Sequence, residues 1–318
     1  MKRIARSVIV FSVCAGFAAD AFAAEEAIAI YPAYASGDAA AVEGRVIASE
    51  DAAPASATDS RRTNAGRNLG LMMNQEREAY RVDVRAADTD WSAITDEEGY
   101  FRIELRGLSR LSPGWHPVVG RAGEAMAESG LLLVPKDNVA GLISDLDDTI
   151  LVSEVNSTRR LLGNTFLGNP LQREAVPGTA GLYRTLASRN ADPAAAPTFY
   201  LSASPRQLHG SIQAFLDHNG FPRGVLITKR VTNDATSEPL RDQVAYKVAK
   251  IEEILRRLPA VRFTLIGDDG ERDPEIYRQI RERYPDRVAA IWIRRVHPDP
   301  ERARYPDQGN LADLLSKP

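Results

Sequence analysis

Cysteine is almost missing from this 318-residue chain: the single one, Cys14, lies inside an N-terminal apolar run. Histidine is nearly as scarce, with only His116, His209, His218 and His297, and none of them falls in an H-E-x-x-H spacing. The apolar run, Ser7 to Ala19, has 13 residues, well short of the roughly 20 that cross a bilayer as a helix. Lys2, Arg3 and Arg6 precede it and Ala21-Phe22-Ala23 follows it. A basic start, a short apolar stretch and an A-x-A site read as a signal peptide, residues 1–23, cut after Ala23. The expectation is an exported protein, periplasmic or secreted. Cys14 leaves with that segment, which excludes disulfides, thiolate zinc sites and a cysteine nucleophile from the mature chain. An excess of positive charge is lacking too: after cleavage 37 basic residues face 42 acidic ones. No nucleic-acid partner is expected. Chemistry must come from carboxylates, hydroxyls, Lys and Arg.

What is present fits a folded protein, with 44% hydrophobic and 26% charged residues. From 24 to 137 the strand-like segments are short. Examples are Tyr80-Arg81-Val82-Asp83-Val84-Arg85 and Tyr100-Phe101-Arg102-Ile103-Glu104-Leu105, in which apolar residues tend to alternate with polar ones. Period-two patterning between turns such as Asp96-Glu97-Glu98-Gly99 predicts a small all-β, sandwich-like domain, with a protein partner that the residues do not name. The stretch Glu50 to Asn68 reads as an exposed loop, whose Arg61, Arg62 and Arg67 are more simply solvated than bound to an anion.

From 138 to 318 the pattern changes. Buried strands are expected at Ala140 to Ser144, Thr198 to Leu201, Val225 to Ile227, Arg262 to Ile266 and Ala289 to Ile293. A helix is expected where Val244, Val248, Ile251, Ile254, Leu255 and Leu258 form one apolar stripe. Strand and helix in alternation predict an α/β fold with a doubly wound parallel sheet, in which ligands bind beyond the carboxyl ends of the strands. At those ends stand Asp145-Leu146-Asp147-Asp148-Thr149, Ser202-Ala203-Ser204-Pro205 and Gly267-Asp268-Asp269-Gly270-Glu271-Arg272-Asp273, while Lys247 opens the helix before the fourth strand. Acids crowded at two strand ends repel one another unless a cation lies between them, and an oxygen-only donor set suits Mg²⁺. Ser202 and Lys247 would add a hydroxyl donor and a fixed positive charge, which suit a phosphoryl group.

Taken in order, D-x-D-x-T, a strand-end Ser, a Lys and G-D with a further Asp resemble the haloacid dehalogenase superfamily of phosphohydrolases. Over roughly residues 139 to 295, Asp145 to Ile150, Asn164 to Gly168, Val176-Pro177-Gly178, Leu201 to Pro205 and Ile266 to Tyr277 are similar to the catalytic domain of the actin-patch-protein phosphatidate phosphatases. The resemblance implies Asp145 as nucleophile and Asp147 as general acid and base. It implies a metal held by the Asp145 side chain, the Asp147 backbone carbonyl and Asp268. Thr149 would hydrogen-bond the loop that places Asp147, Ser202 and Lys247 would bind phosphate, and Ser204 and Arg206 are the candidate substrate contacts. Ser204 also reads as a helix N-cap ahead of Pro205, and Asp273 as either a second metal-site carboxylate or an N-cap ahead of Pro274. His209 invites a serine-hydrolase reading that the lack of a G-x-S-x-G elbow disfavours. Arg159, Arg160, Arg230 and Arg294 are unranked candidates for holding an anionic head group.

The spans between motifs leave no room for a cap domain, and in that superfamily a capless site implies a large or surface-embedded substrate. The expectation is peripheral action at a phospholipid surface, with the apolar segment Leu161 to Leu167 either dipping into lipid or packing in the core. The leading function is phosphatidate hydrolysis to diacylglycerol and phosphate. The alternatives are a phosphatase of a soluble phosphomonoester or phosphoprotein, and a catalytically idle envelope-binding protein.

Overall fold

A computed structural model of the chain describes residues 25–35, 37–49, 55–73, 75–151, 169–231, 238, 242–296, 301–302 and 304–316. The expected signal peptide, Arg159, Arg160 and the segment Leu161 to Leu167 lie outside the described residues.

The first part builds two sheets. One contains β1 (Glu25–Ile30), β3 (Ala39–Ser49), β4 (Gln75–Glu76) and β7 (Tyr100–Arg106), all paired antiparallel to β3. The other runs β2 (Ala33–Ala35), β9 (Ala125–Leu133), β8 (Gly114–Ala122), β5 (Arg81–Ala86) and β6 (Thr89–Ile94). Strand alternation works as expected here: in β5, Val82, Val84 and Ala86 are buried while Arg81, Asp83 and Arg85 are exposed. The inward faces of both sheets meet in one core that includes Val42, Val46, Val84, Phe101, Leu105 and Leu131. One pairing differs from the antiparallel rest, because β2 lies parallel to β9.

A departure from the sequence reading is helix α1 (Arg61–Met73), which takes in the last eight residues of the stretch read as a loop. It carries no apolar stripe, so periodicity could not reveal it. Ser60 starts it, accepting the Thr63 N–H at 3.1 Å. Tertiary bonds then hold it: buried Asn64 donates to Gln172 Oε1 at 2.7 Å, and Arg67 pairs with Asp59 at 2.8 Å.

The second part is α/β. Its six-stranded sheet has the order β12-β11-β10-β13-β14-β15, formed by β12 (Val225–Lys229), β11 (Thr198–Pro205), β10 (Ala140–Asp145), β13 (Arg262–Asp268), β14 (Val288–Arg294) and β15 (Gly309–Asn310). Every pairing in it is parallel. Because successive side chains point to opposite faces, Phe199, Leu201, Phe263 and Leu265 enter one core and Leu142, Tyr200, Leu226 and Ile266 the other. Helices α4 (Gln243–Arg257) and α5 (Asp273–Arg283) cover the first face through Val248, Ile251, Ile276 and Ile280. Helices α2 (Thr179–Ala187), α3 (His209–His218) and α6 (Leu311–Leu315) cover the second. Asp242 caps α4 by accepting the Ala245 N–H at 2.8 Å. That start places Lys247 on the buried side of the helix.

β10 and β13 are adjacent in the middle of the sheet. Their carboxyl ends are therefore side by side, and this juxtaposition builds the site. Among the described residues, no helix is long and apolar enough to cross a membrane.

Candidate active site

The last residue of β10 is Asp145, and the chain then turns sharply through Asp148, which has a left-handed φ of 56°. Asp is one of the few non-Gly residues that tolerate this conformation. Arg294, at the end of β14, donates to the Asp148 carbonyl at 2.6 Å. The turn brings Thr149 back beneath the strand end, where its hydroxyl lies 3.3 Å from Asp145 Oδ2 and 3.2 Å from Asp268 Oδ2. Thr149 thus bridges the two strand-end acids, whereas the expectation was a contact with the loop that places Asp147.

Lys247 reaches the same point from α4 and is 1% exposed. Its ammonium lies 2.8 Å from Asp145 Oδ1, 2.7 Å from Asp273 Oδ1 and 3.3 Å from Glu271 Oε2. Gly267 makes the approach of Asp273 feasible, since a Cβ there would collide with the Asp273 side chain. Asp273 is the first residue of α5 rather than its cap: Arg272 holds the N-cap position and no side chain caps the helix. The N-cap reading of Asp273 is therefore corrected, because its carboxylate turns to Lys247 and accepts the Asp268 N–H at 3.4 Å.

Asp145, Asp268 and Asp273 each offer an oxygen within 4.8 Å of the others, and all three are buried. Burial lifts Asp145 well above the ordinary carboxylate range, with Lys247 opposing and Asp273 and Asp268 adding to the rise. Asp268 is pushed up to about 8, first by burial and then by Asp273. Asp273 is raised by burial as well, against the pull of Lys247. Burial alone would depress the Lys247 ammonium, yet Asp145, Asp273 and Glu271 hold it well above its usual value. One ammonium among four carboxylates leaves an excess of buried negative charge. An all-oxygen, anionic donor set of this size fits a hard divalent cation, which would relieve the repulsion.

The Asp147 side chain turns away from this cluster. Its Oδ2 accepts from Ser202 Oγ at 3.2 Å, and Ser202 Oγ in turn accepts the Ser204 N–H at 3.0 Å. Burial and then Glu271 raise Asp147, while Arg173 acts in the opposite direction. A carboxyl shifted upward keeps its proton to higher pH than an ordinary Asp, which suits proton transfer. Tyr246 donates to the Ser202 carbonyl at 3.3 Å and steadies that loop.

Two expected substrate contacts are placed differently. Ser204 belongs to the end of β11 and caps nothing, because the following 3₁₀ turn starts at Arg206 with Pro205 before it and no side-chain cap. The Arg206 guanidinium is committed to Glu43 at 2.7 Å and stacks over Tyr31 with 5.1 Å to the ring centroid. Arg230 pairs with Asp96 at 2.6 Å. Asp269 is buried beside the site but bonds the Val296 N–H at 2.7 Å. Two participants escaped the sequence reading. Arg173 is a lone Arg with no motif around it, and Glu271 lies inside a quoted motif without a role attached.

His209 has no part in this chemistry. It is buried edge-on against Tyr31, 4.9 Å between centroids, with Nδ1 3.4 Å from Thr228 Oγ1. Burial and then Arg206 lower its pKa to about 3. The folded state keeps it neutral while the unfolded chain takes up a proton below about 6.5. Its contribution is complete above that pH and is lost as pH falls toward about 3, at roughly 1.4 kcal/mol per unit. Urea unfolding of His209→Gln between pH 6.5 and 4 is expected to show a shallower decline than the wild type. Equal slopes would contradict this account.

Buried carboxylates gathered at the carboxyl ends of adjacent parallel strands, a lysine bound to the foremost of them, and a second Asp beside a serine hydroxyl make up one site suited to a cation and an anionic group. Residues 140–295 match the family described as phosphatidate phosphatase APP1, catalytic domain. Over 154 residues the chain is 32% identical to phosphatidate phosphatase APP1 of Saccharomyces cerevisiae, covering 48% of this chain and 25% of that one. It is 30% identical over 162 residues to an uncharacterized protein of Schizosaccharomyces pombe, covering 51% and 26%. The chain thus spans about a quarter of the length of these curated relatives. Among solved structures, a carbohydrate acetylesterase of Xanthomonas citri superposes with a TM-score of 0.29 at 9% identity, over 83% of this chain and 66% of that one.

Proposed function

We propose that the chain is an exported, Mg²⁺-dependent phosphatidate phosphatase that acts peripherally at a phospholipid surface. In this reading residues 138–318 are a capless, doubly wound domain of haloacid dehalogenase type, and residues 24–137 are a separate β-sandwich-like unit. The observation that carries the proposal is the meeting of Asp145, Asp268, Asp273 and Lys247 at two neighbouring strand ends, inside the segment that matches the phosphatidate phosphatase family.

The chemistry follows from the residues. Asp145 attacks phosphorus, the P–O bond to the leaving oxygen breaks, and Asp147 gives that oxygen a proton. Water then attacks the aspartyl-phosphate, passing a proton to Asp147, and the P–O bond to Asp145 breaks to release inorganic phosphate. Both Asp145 oxygens have contacts, but each carboxylate oxygen has two acceptor sites, and among the described residues Oδ2 is held by the long bond from Thr149. Lys247 and the Ser202 hydroxyl face the charge that spreads over the phosphoryl oxygens. Mg²⁺, when bound by Asp145, Asp268, Asp273 and the Asp147 carbonyl, would add positive charge to the same oxygens. The single Ser202 proton goes to Asp147 Oδ2 in the structure; a phosphoryl oxygen that takes it over would leave the Asp147 carboxyl free for the leaving group.

The test is phosphate release from phosphatidate in mixed micelles and from a small aryl phosphate, each with Mg²⁺ or EDTA. Mg²⁺-dependent release from phosphatidate, faster than from the aryl ester, is expected. Release from the aryl ester alone would keep the hydrolase and replace the lipid by a soluble phosphomonoester or phosphoprotein.

A further inference from the structure

The irregular end of β11 that carries Ser202 and Ser204, the Ser202 loop, is gripped from outside the matched segment. Immediately after it, Arg206 pairs with Glu43 of β3 at 2.7 Å, stacks on Tyr31 and donates through Nε to the Thr228 carbonyl at 3.3 Å. The neighbouring strand repeats the arrangement. β12 pairs Lys229 with Pro205, and the next residue, Arg230, meets Asp96 of the β6–β7 turn at 2.6 Å. Both guanidiniums share the ring of buried Tyr100, at 4.4 Å for Arg230 and 5.9 Å for Arg206. The first of these links is largely withdrawn from water, with Arg206 12% and Glu43 27% exposed, so it is stronger than an ordinary surface pair. Both ends of the Glu43–Arg206 link are well held, because Arg102 also bonds Glu43.

From Arg206 the order passes inward over a few bonds. Pro205 has a fixed φ, the Ser204 N–H holds Ser202 Oγ, and Ser202 Oγ meets Asp147. We infer that Glu43 and Asp96 are positioning residues for the phosphate site: through Arg206 and Arg230 the N-terminal sheets hold the Ser202 loop where its hydroxyl can bind phosphate. Arg206 therefore acts through the loop and does not touch substrate. This inference rests on the phosphohydrolase reading above.

The experiment uses the whole mature chain in Mg²⁺ buffer, reading the Kd of inorganic phosphate by calorimetry and the KM of an aryl phosphate. Neither constant depends on the fraction of protein that is folded, so a merely structural role would leave both unmoved. Glu43→Gln and Arg206→Gln are each expected to raise both constants about fivefold, and the double variant no further, since both break one link. Arg206→Lys, which keeps the charge, should recover part of the loss. Asp96→Asn, at the more exposed link, is expected to give about a twofold rise and serves as the readout if Glu43→Gln fails to fold. Unchanged constants in a folded variant, with the wild type active, would overturn the positioning role alone. A wild type that neither binds phosphate nor turns over the ester would overturn the phosphohydrolase reading and this inference with it.

Discussion

Asp145→Asn is expected to lower phosphate release by about 10⁴-fold or more while leaving the fold intact, because an amide keeps the shape of the carboxylate but cannot form the aspartyl-phosphate. The surroundings argue for a small effect on stability. Asp145 sits fully buried beside Asp268 and Asp273, so removing its charge relieves repulsion as well as costing an ion pair. Lys247 keeps Asp273 at 2.7 Å and Glu271 at 3.3 Å, and the Asn oxygen can still accept from it. Thermal unfolding of the variant should fall close to the wild-type value. Residual activity above about a hundredth of wild type would show that Asp145 is not the nucleophile.

The second large effect is expected from Lys247→Met, and here stability and activity fall together. Its ammonium touches three carboxylates, and its removal leaves Asp145, Asp273 and Asp268 buried in close company without that compensation. Breaking a buried ion pair by deleting one partner costs about 3–5 kcal/mol. Loss of a positive charge aimed at the phosphoryl oxygens should lower kcat by about 10²–10³-fold. Lys247→Arg would keep the charge in a bulkier shape and should be less damaging to the fold. Because a cation binding only the folded state stabilises it, added Mg²⁺ should restore part of the loss in Lys247→Met. Denaturant melts of both variants, with and without Mg²⁺, check this. A Lys247→Met protein as stable and as active as wild type would contradict the account of the site.

How much of this was legible in the sequence depended on the range of the interaction. The five expected strands of the α/β part are present, each extended by a residue or more at one or both ends, because continuous apolar runs and the α4 stripe report burial directly. Asp145, Thr149, Asp268 and Asp273 could be assembled in advance because strand ends in a parallel sheet converge on one edge, whereas Lys247, on α4, was added by the order of motifs in the family resemblance. Local signals failed where a residue's role is set by a distant partner. Ser204-Pro and Asp273-Pro both have the form of helix caps, but one continues a strand and the other turns its carboxylate toward a lysine. Arg206 reads in the sequence as a candidate substrate contact, since nothing near it in the chain announces Glu43. Helix α1 shows the same limit, being held by Ser60, Asn64 and Arg67 through polar contacts that periodicity does not register.

The central claim is that a phosphoryl group passes through Asp145 with Asp147 serving both half-reactions. The most direct measurement is mass spectrometry of the acid-quenched Asp147→Asn protein after incubation with Mg²⁺ and an aryl phosphate whose leaving group needs no proton. Without its base the second half-reaction stalls, so a phosphoryl adduct should accumulate on the peptide containing Asp145 and be missing when Asp145→Asn is added. Wild-type turnover of the ester with no adduct in Asp147→Asn, or an adduct on any other residue, would contradict the account.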